Sequence, residues 1–247
     1  MANLRKNNLT DLKNHYLNLA FELAKINQGS TKKNPSVGCI VVKNQSVISS
    51  GYTSINGRPH AEFNALNKKI NFKDSVLFVT LEPCSHYGKT PPCTNIIVKK
   101  GVRKVYYSID DFDLRSKKRS KTILNNKNIL VKKNLSRSKG INFYKSYLNF
   151  KLDKFPIIDA KIALSKDYYT INKKNKWITN ISSRRLAHLL RTNYNALIST
   201  AKSINSDNSL LNCRINGLLK KSPDLIIIDR NLKIKKKLDI FKKKIKR

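Results

Sequence analysis

The chain has 247 residues, enough for one large or two ordinary domains with a buried core. Its 51 Lys and Arg residues against 15 Asp and Glu residues give a formal net charge of +36. With 40% hydrophobic residues and only 8 Gly and 7 Pro, the composition excludes collagen-like, low-complexity and disulfide-scaffold proteins. The sequence therefore predicts a folded and very basic protein.

The positive charge is spread over the whole chain and is concentrated only near its end, at residues 233–247. This distribution favours a general compositional bias, so nucleic acid is not the expected physiological partner. Four Cys and an N-terminus without secretory features predict a reducing, cytoplasmic setting, in which thiols serve as metal ligands more often than as disulfides. No apolar run approaches the roughly 20 residues that span a bilayer, so no membrane contact is expected.

Hydrophobic spacing predicts a first domain over residues 1–153. Apolar residues at three- and four-residue intervals indicate a helix over 10–27, with Thr10 or Asp11 near its N-cap. Strands at 37–42 and 47–52 are predicted to form a hairpin. Further strands are expected at 75–81, 102–107 and 129–131, and helices at about 60–69, 93–100, 116–126 and 139–149. Strands that alternate with helices indicate an α/β sandwich.

A second β/α series is predicted over residues 154–247. It consists of a strand at 156–164, a helix at 181–191, and strands at 196–200 and 224–229. The 18 residues after Asp229 are mostly Lys, Ile and Leu and cannot complete a sheet of ordinary size. The second domain is therefore expected to be incomplete.

Four residues form a pattern with chemical meaning. His60 and Glu62 lie at a predicted helix start, and Cys84 and Cys93 each follow a proline. One imidazole and two thiolates provide three protein ligands, the number found in catalytic zinc sites, where the fourth position stays open for water. Glu62 is predicted to carry protons without being a ligand, as in the zinc deaminases of nucleobases. Each residue alone has an ordinary structural explanation, whereas the ordered set predicts a zinc hydrolase.

Three segments resemble the bifunctional deaminase/reductase family of riboflavin biosynthesis: residues 34–39, 59–62 and 80–93. The last reads TLEPCSHYGKTPPC, and its eight residues between the two Cys distinguish it from cytidine and tRNA adenosine deaminases. The resemblance implies a cytidine-deaminase-like three-layer sandwich with one zinc ion per chain. It also implies hydrolytic deamination of 2,5-diamino-6-(ribosylamino)pyrimidin-4-one 5′-phosphate to 5-amino-6-ribosylaminouracil 5′-phosphate. The family's substrate-binding positions fall on Asn34, His86, Lys89, Thr90 and Asp111.

Residues 156–230 resemble the same family's reductase domain, which has a dihydrofolate-reductase-like fold. This sequence departs from the family at Tyr168, where the family has Gly. Because of such departures and the short C-terminal part, we expect an active deaminase with an incomplete reductase. Whether the chain uses NADPH as a cofactor is left open. The implied positions are Trp177, Ser203 and Asp207 for NADPH, and Arg191 and Arg214 for substrate.

Two alternatives stay open at this point. One is a full bifunctional deaminase and NADPH-dependent reductase that a separate reductase chain completes. The other is a basic RNA-binding protein built on the deaminase fold. In the first alternative NADPH is oxidised in the presence of the deaminated nucleotide, and in the second RNA binding survives physiological salt. We further expect the second domain to cover strand edges of the first, or to pack on another copy of the chain in a homo-oligomer.

Overall fold

The computed structural model describes residues 2–113, 115, 119–152, 155–170 and 177–242. The chain divides into two compact units, Met1–Ile158 and Asp159–Arg247. In the described residues, the first unit contains a five-stranded sheet and the second a two-stranded sheet. No described helix is long and apolar enough to cross a membrane.

The sheet of the first unit is mixed. Its strands are β1 (Gly38–Lys43), β2 (Ser46–Tyr52), β3 (Val76–Leu81), β4 (Lys104–Ile109) and β5 (Leu130–Lys132), in the spatial order β2-β1-β3-β4-β5. Strand β1 is antiparallel to β2 and β3, whereas β3, β4 and β5 run parallel. The predicted hairpin is confirmed with a two-residue turn, in which Asn44 and Gln45 both have positive φ (49° and 61°).

Helices cover both faces of this sheet. They are α1 (Ala2–Lys25), α2 (Ala61–Leu66), α3 (Cys93–Lys99), α4 (Arg119–Asn125), α5 (Arg137–Phe143) and α6 (Lys145–Lys151). A Cβ on Gly38 would lie 1.8 Å from the Ala20 carbonyl oxygen of α1. A Cβ on Gly51 would lie 2.4 Å from the Ala61 carbonyl oxygen of α2. Because Gly51 pairs with Cys39, it faces the opposite side from Gly38, so α1 and α2 lie on opposite faces and the unit has three layers.

Two helix predictions in the first unit are wrong in their bounds. The predicted N-cap at Thr10 or Asp11 lies inside α1, because the preceding residues contain no Gly or Pro that would stop the helix before it reaches the core-facing part. The helix predicted at 139–149 is two helices, α5 and α6, which meet at the buried Tyr144. Its hydroxyl donates to the Ser36 carbonyl at 3.1 Å. Of the helix predicted at 116–126, residues 116–118 lie outside the described part.

The second unit contains the helix α7 (Ile181–Arg191), the strand β6 (Ala196–Thr200), the helix α8 (Ala201–Asp207) and the strand β7 (Asp224–Ile228). Strands β6 and β7 run parallel and pair from Ala196 opposite Asp224. The helix α7 has the predicted bounds. Helix α8 was not predicted, because its sequence AKSINSD carries little apolar periodicity; Thr200 caps it by accepting from the Ser203 amide at 3.3 Å.

The strand predicted at 156–164 is wrong. The backbone there is irregular, and Ile158 and Ile162 are exposed. A strand requires a hydrogen-bonded neighbour, and the described sheets pair no residue with this segment. Farther along, Tyr168 adopts a φ of 66°, so the position keeps the left-handed conformation that glycine favours even though a bulky side chain occupies it.

Candidate functional site

Three short elements bring potential metal ligands together at one end of the sheet. His60 is the N-cap of α2, Cys84 follows the end of β3, and Cys93 is the first residue of α3. The His60 Nδ1 atom lies 3.5 Å from Cys84 Sγ and 3.4 Å from Cys93 Sγ. The three ligand atoms all lie within 4.8 Å of one another, and no other group of three potential ligands occurs among the described residues.

The two thiols of this cluster differ in acidity. Cys84 Sγ accepts the Cys93 backbone amide at 3.2 Å. The hydrogen bond from the Cys93 thiol, assisted by His60, lowers the pKa of Cys84. The same thiol–thiol hydrogen bond and burial raise the pKa of Cys93. One sulfur is therefore stabilised as a thiolate. One imidazole and two sulfurs are a donor set that zinc prefers, and three protein ligands leave one tetrahedral position free.

Glu62 lies in the first turn of α2, two residues after His60, and only 4% of it is exposed. Burial is the main cause that raises the pKa of its carboxyl group to about 7, with a further contribution from Cys84. Its carboxylate also interacts with the Cys93 thiol. A carboxyl group with a pKa near neutrality can both accept and donate a proton, which is the property expected of a proton carrier.

The predicted substrate residues of the first unit, apart from Asp111, lie in the loop between the two cysteines and at Asn34. The loop between Cys84 and Cys93 carries His86, which is half-buried, and Lys89 and Thr90, which are exposed. The Thr90 hydroxyl accepts a hydrogen bond from Arg58, which lies two residues before His60. Asn34 lies on the other side of the same segment and donates from Nδ2 to the Gly57 carbonyl at 2.9 Å. The structure thus brings Asn34 and Thr90 to the segment that carries His60.

Asp111 follows β4 and is buried. One of its carboxylate oxygens, Oδ1, accepts the Tyr147 hydroxyl at 2.8 Å and the Asp113 amide at 3.1 Å. Its own amide donates at 3.0 Å to Glu82, a buried residue at the end of β3 that also accepts the Ser120 hydroxyl at 2.7 Å. Glu82 therefore connects the metal-ligand segment to the loop of Asp111. Sequence analysis missed it, although a carboxylate directly after a buried strand was a signal.

Beside His60 and Cys93 the surface opens into a mainly apolar cavity of about 550 Å³, which Phe63 and Ile96 also line. Its volume falls in the range of sites for small molecules. Lys99 and Lys100 also line this cavity. Thr90 lines it too, so one of the predicted substrate residues faces the same opening as the potential metal ligands.

In the second unit the structure brings Arg191 and Arg214 together around His188. The Arg191 Nη1 atom lies 3.1 Å from His188 Nδ1, and the Arg214 Nη2 atom lies 3.3 Å from His188 Nε2. Burial, with both guanidinium charges, lowers the pKa of His188. Sequence analysis did not single out His188, because only the fold places it between two arginines that are distant in sequence.

The predicted NADPH positions of the second unit lie on different elements. Trp177 is half-exposed, and the Arg184 guanidinium lies 4.5 Å from its ring centroid. Ser203 is in the first turn of α8 and Asp207 is its last residue, and both are exposed. The two α8 positions are four residues apart and therefore lie on one side of the helix.

A family model of the cytidine and deoxycytidylate deaminase zinc-binding region matches residues 10–109, which include all four residues of the His60, Glu62, Cys84 and Cys93 pattern. The riboflavin biosynthesis protein RibD of Bacillus amyloliquefaciens is 34% identical over 90% of this chain and 61% of its own length. RibD of Aquifex aeolicus is 32% identical over 92% of the chain and 64% of its own length. The chain therefore spans about three fifths of the length of these curated relatives.

Solved structures extend the similarity to both units. The diaminohydroxyphosphoribosylaminopyrimidine deaminase/5-amino-6-(5-phosphoribosylamino)uracil reductase of Thermotoga maritima matches with a TM-score of 0.86 and 28% identity, over 96% of this chain and 69% of the other. RibD of Acinetobacter baumannii matches with a TM-score of 0.80 and 29% identity, over 94% of this chain and 67% of the other. The predicted fold class, a cytidine-deaminase-like α/β sandwich followed by a second α/β domain of the reductase type, is confirmed. Over nearly its whole length, the chain is similar to the RibD-type deaminase/reductases of riboflavin biosynthesis.

Proposed function

We propose that this protein is a zinc-dependent deaminase of riboflavin biosynthesis. Its substrate would be 2,5-diamino-6-(ribosylamino)pyrimidin-4-one 5′-phosphate, and its products ammonia and 5-amino-6-ribosylaminouracil 5′-phosphate. The observation that carries the proposal is the convergence of His60, Cys84 and Cys93 beside the buried carboxylate of Glu62. Similarity to RibD proteins over about nine tenths of the chain supports the choice of substrate.

His60, Cys84 and Cys93 would hold the zinc ion through one nitrogen and two sulfur atoms. Bound zinc would supply Lewis acidity and lower the pKa of a coordinated water to about 7. The protein fixes the positions of the three ligand atoms. The start of α2 fixes His60, the start of α3 fixes Cys93, and the Cys93 amide holds the sulfur of Cys84.

Glu62 would carry the protons of the reaction. Its carboxylate would accept a proton from the attacking water and deliver it to the ring nitrogen next to C2 of the pyrimidine. A second proton from the same water would pass through Glu62 to the amino group, which leaves as ammonia while the C2–oxygen bond is retained. Its pKa near 7 suits a group that accepts and donates a proton twice in each turnover.

A substrate comparison tests the proposal. Zinc-loaded protein is incubated separately with the diaminopyrimidine nucleotide, cytidine and deoxycytidylate, and ammonia and the pyrimidine products are quantified. We expect stoichiometric ammonia and the aminouracil nucleotide from the first compound only. Equal or faster turnover of cytidine or deoxycytidylate would contradict the proposed substrate while leaving deamination intact. Absence of ammonia from all three would contradict the proposed activity.

The cluster of Arg191, His188 and Arg214 favours a second candidate function, NADPH-dependent reduction of the deaminated nucleotide by the second unit. Two guanidinium groups around one neutral imidazole form a cationic site suited to a phosphate. NADPH oxidation is measured with the aminouracil nucleotide as substrate, for the wild type and for Arg191→Gln. Oxidation that the variant loses supports this candidate, and no oxidation above the rate without nucleotide excludes it for this chain.

A further inference from the structure

Arg58 lies at the rim of the metal centre, and neither the sequence pattern nor the proposed mechanism uses it. It precedes His60 by two residues on extended backbone (φ −150°, ψ 146°). Its Nη1 atom donates to the Thr90 hydroxyl. Its Nη2 atom would lie 3.2 Å from a Cβ added at Gly88, so the guanidinium lies directly against this glycine. Arg58 therefore spans from the segment of His60 to the loop between the two cysteines.

The surroundings of Arg58 hold it in place from two sides. Asn34 donates to the carbonyl of the preceding Gly57 at 2.9 Å, and Gly57 has a φ of +85°. A Cβ there would lie 2.6 Å from the Thr31 carbonyl oxygen, so the backbone is closely packed just before Arg58. On the other side, Thr90 accepts from the guanidinium itself. Two of the predicted substrate residues are thus in contact with this segment.

The guanidinium charge of Arg58 has no carboxylate within 4 Å among the described residues. A guanidinium has five N–H donors, and Thr90 occupies one of them. Lys89, which directly precedes Thr90 in the same loop, is exposed and provides a second positive charge next to Thr90 in sequence. An uncompensated cation with free donors in a fixed fork is suited to a phosphate, which it can bind through two parallel hydrogen bonds.

The position of Arg58 also fits the length of a nucleotide. Only Pro59 separates Arg58 from His60, so their Cα atoms lie at most about 7 Å apart. A nucleotide has its base and its phosphate on opposite sides of one ribose. The guanidinium of Arg58 contacts Thr90, which lines the same cavity as His60 and Cys93, so it lies at the edge of the cavity in which the base would be held.

We propose that Arg58 binds the 5′-phosphate of the nucleotide substrate, with Lys89 as the second cation, and so determines selectivity for the phosphorylated substrate over its nucleoside. This inference rests on the proposed function. It separates the two parts of substrate recognition: the metal centre binds the pyrimidine ring, and the loop rim formed by Arg58, Lys89 and Thr90 binds the phosphate.

The test compares the diaminopyrimidine nucleotide with its dephosphorylated nucleoside. For Arg58→Gln we expect kcat/KM for the nucleotide to fall about 10- to 100-fold, mainly through KM, and kcat/KM for the nucleoside to change less than about 3-fold. Arg58→Lys keeps the charge but not the two parallel donors of the guanidinium. Its kcat/KM for the nucleotide is expected to lie between that of the wild type and that of Arg58→Gln. Arg103→Gln is the matched control, because Arg103 is exposed and lies at the opposite end of β4 from Asp111. Its selectivity is expected to equal that of the wild type.

The possible outcomes separate the inference from the proposed function. Equal losses on nucleotide and nucleoside in Arg58→Gln would show that Arg58 only fixes the loop, and would overturn the inference. Unchanged selectivity would overturn it as well. If the wild type deaminates neither compound, the proposed function fails, and titration calorimetry with the nucleotide and the nucleoside then decides. Selective loss of nucleotide binding in Arg58→Gln supports the phosphate contact, and equal binding by wild type and variant contradicts it.

Discussion

Glu62 has an unusual environment for a carboxylate, because it is buried beside two thiols and an imidazole. Replacement by Gln keeps the shape of the side chain and removes its ability to carry protons. We predict that Glu62→Gln lowers ammonia release about 10²- to 10⁴-fold, the usual contribution of a general acid–base group. Zinc content per chain should stay that of the wild type, because Glu62 is not among the three ligands.

The control for this variant is Glu22→Gln, which changes the same side chain at an exposed position of α1. Its turnover and zinc content are expected to match those of the wild type. If Glu62→Gln retained most of its turnover, another group would have to carry the protons. If it lost zinc instead, Glu62 would belong to the ligand set.

Asp113 shows how a single carboxylate couples stability to pH. It accepts from Arg115 Nη2 at 2.6 Å and from Lys151 Nζ at 2.8 Å, and these hydrogen bonds, that of Arg115 foremost, lower its pKa. A carboxyl group with a lowered native pKa stabilises the folded state above its unfolded pKa of about 3.9. That contribution is lost as the pH falls through the native pKa.

We therefore predict that Asp113→Asn lowers the free energy of unfolding by about 1–2 kcal/mol at neutral pH, since Arg115 is largely exposed and the pair is partly screened. The difference from the wild type should shrink progressively below about pH 4. Urea unfolding across this pH range measures it. The exposed Asp11→Asn serves as control, and a difference that stayed constant with pH would show that charge is not the cause.

At this scale the sequence was informative where chemistry depends on residue order. His60, Glu62, Cys84 and Cys93 could be proposed as candidates because a metal site needs particular side chains at particular intervals. Arg58, Glu82 and His188 were not singled out, because each has a partner distant in sequence; the position of Glu82 directly after a buried strand was the one available signal. Glu82 contacts Asp111 and Ser120, for example, and only the parallel pairing of β3 with β4 brings these residues to it.

Among the elements, helix α2 decides the geometry of the site because it carries both His60 at its cap and Glu62 in its first turn. Gly51 of β2 sets the distance between this helix and the sheet. We predict that Gly51→Ala destabilises the protein by about 1–3 kcal/mol, since the new methyl group would lie 2.4 Å from the Ala61 carbonyl oxygen and 2.5 Å from the Ala65 amide nitrogen. Because α2 has to move, zinc should also be lost at a lower chelator concentration.

Thermal unfolding and competition with a chelator measure both effects. Ser50→Ala, a neighbouring change that adds no volume, is the control and should leave both unchanged. Wild-type stability and zinc retention in Gly51→Ala would contradict the close packing of α2 against β2.

The elements that sequence analysis placed well have strong periodicity and tertiary partners. The hairpin β1–β2 and β3 bury one or both faces in a regular pattern, whereas α7 has regular apolar spacing but no buried residue; the bounds of all four elements were predicted closely. The short helix α8 was missed because a side-chain cap at Thr200 starts it and apolar spacing does not reveal it. The segment 156–164 has the composition of a strand but no strand beside it, and pairing cannot be deduced from composition.

For the whole molecule, the net charge of +36 predicts non-selective binding to nucleic acids at low salt. We predict that the protein binds RNA and duplex DNA alike at about 50 mM salt, and that affinity falls by roughly 10³-fold or more at about 200 mM, because only phosphate contacts contribute. Fluorescence anisotropy with a structured RNA and an unrelated duplex measures this. Tight, selective RNA binding at the higher salt would instead support the RNA-binding alternative.

The two compact units also differ in how far sequence could describe them. In the first unit, strands alternate with helices and the chain carries the pattern of His60, Glu62, Cys84 and Cys93. Its fold and its candidate site could therefore be predicted together. In the second unit the two strands are only partly buried along their length, and its predicted positions could be placed only through the resemblance. The match to the Thermotoga maritima structure over 96% of the chain supports the resemblance in both units.

The proposed function requires that His60, Cys84 and Cys93 form a catalytic zinc centre. The direct measurement is a zinc titration of metal-free protein, with ammonia release from the diaminopyrimidine nucleotide recorded at each step for the wild type and Cys84→Ser. We predict that wild-type activity rises linearly and reaches its plateau at one zinc per chain, and that Cys84→Ser stays inactive over the same range. Full activity without bound zinc, or one bound zinc per chain without any ammonia release, would contradict the account.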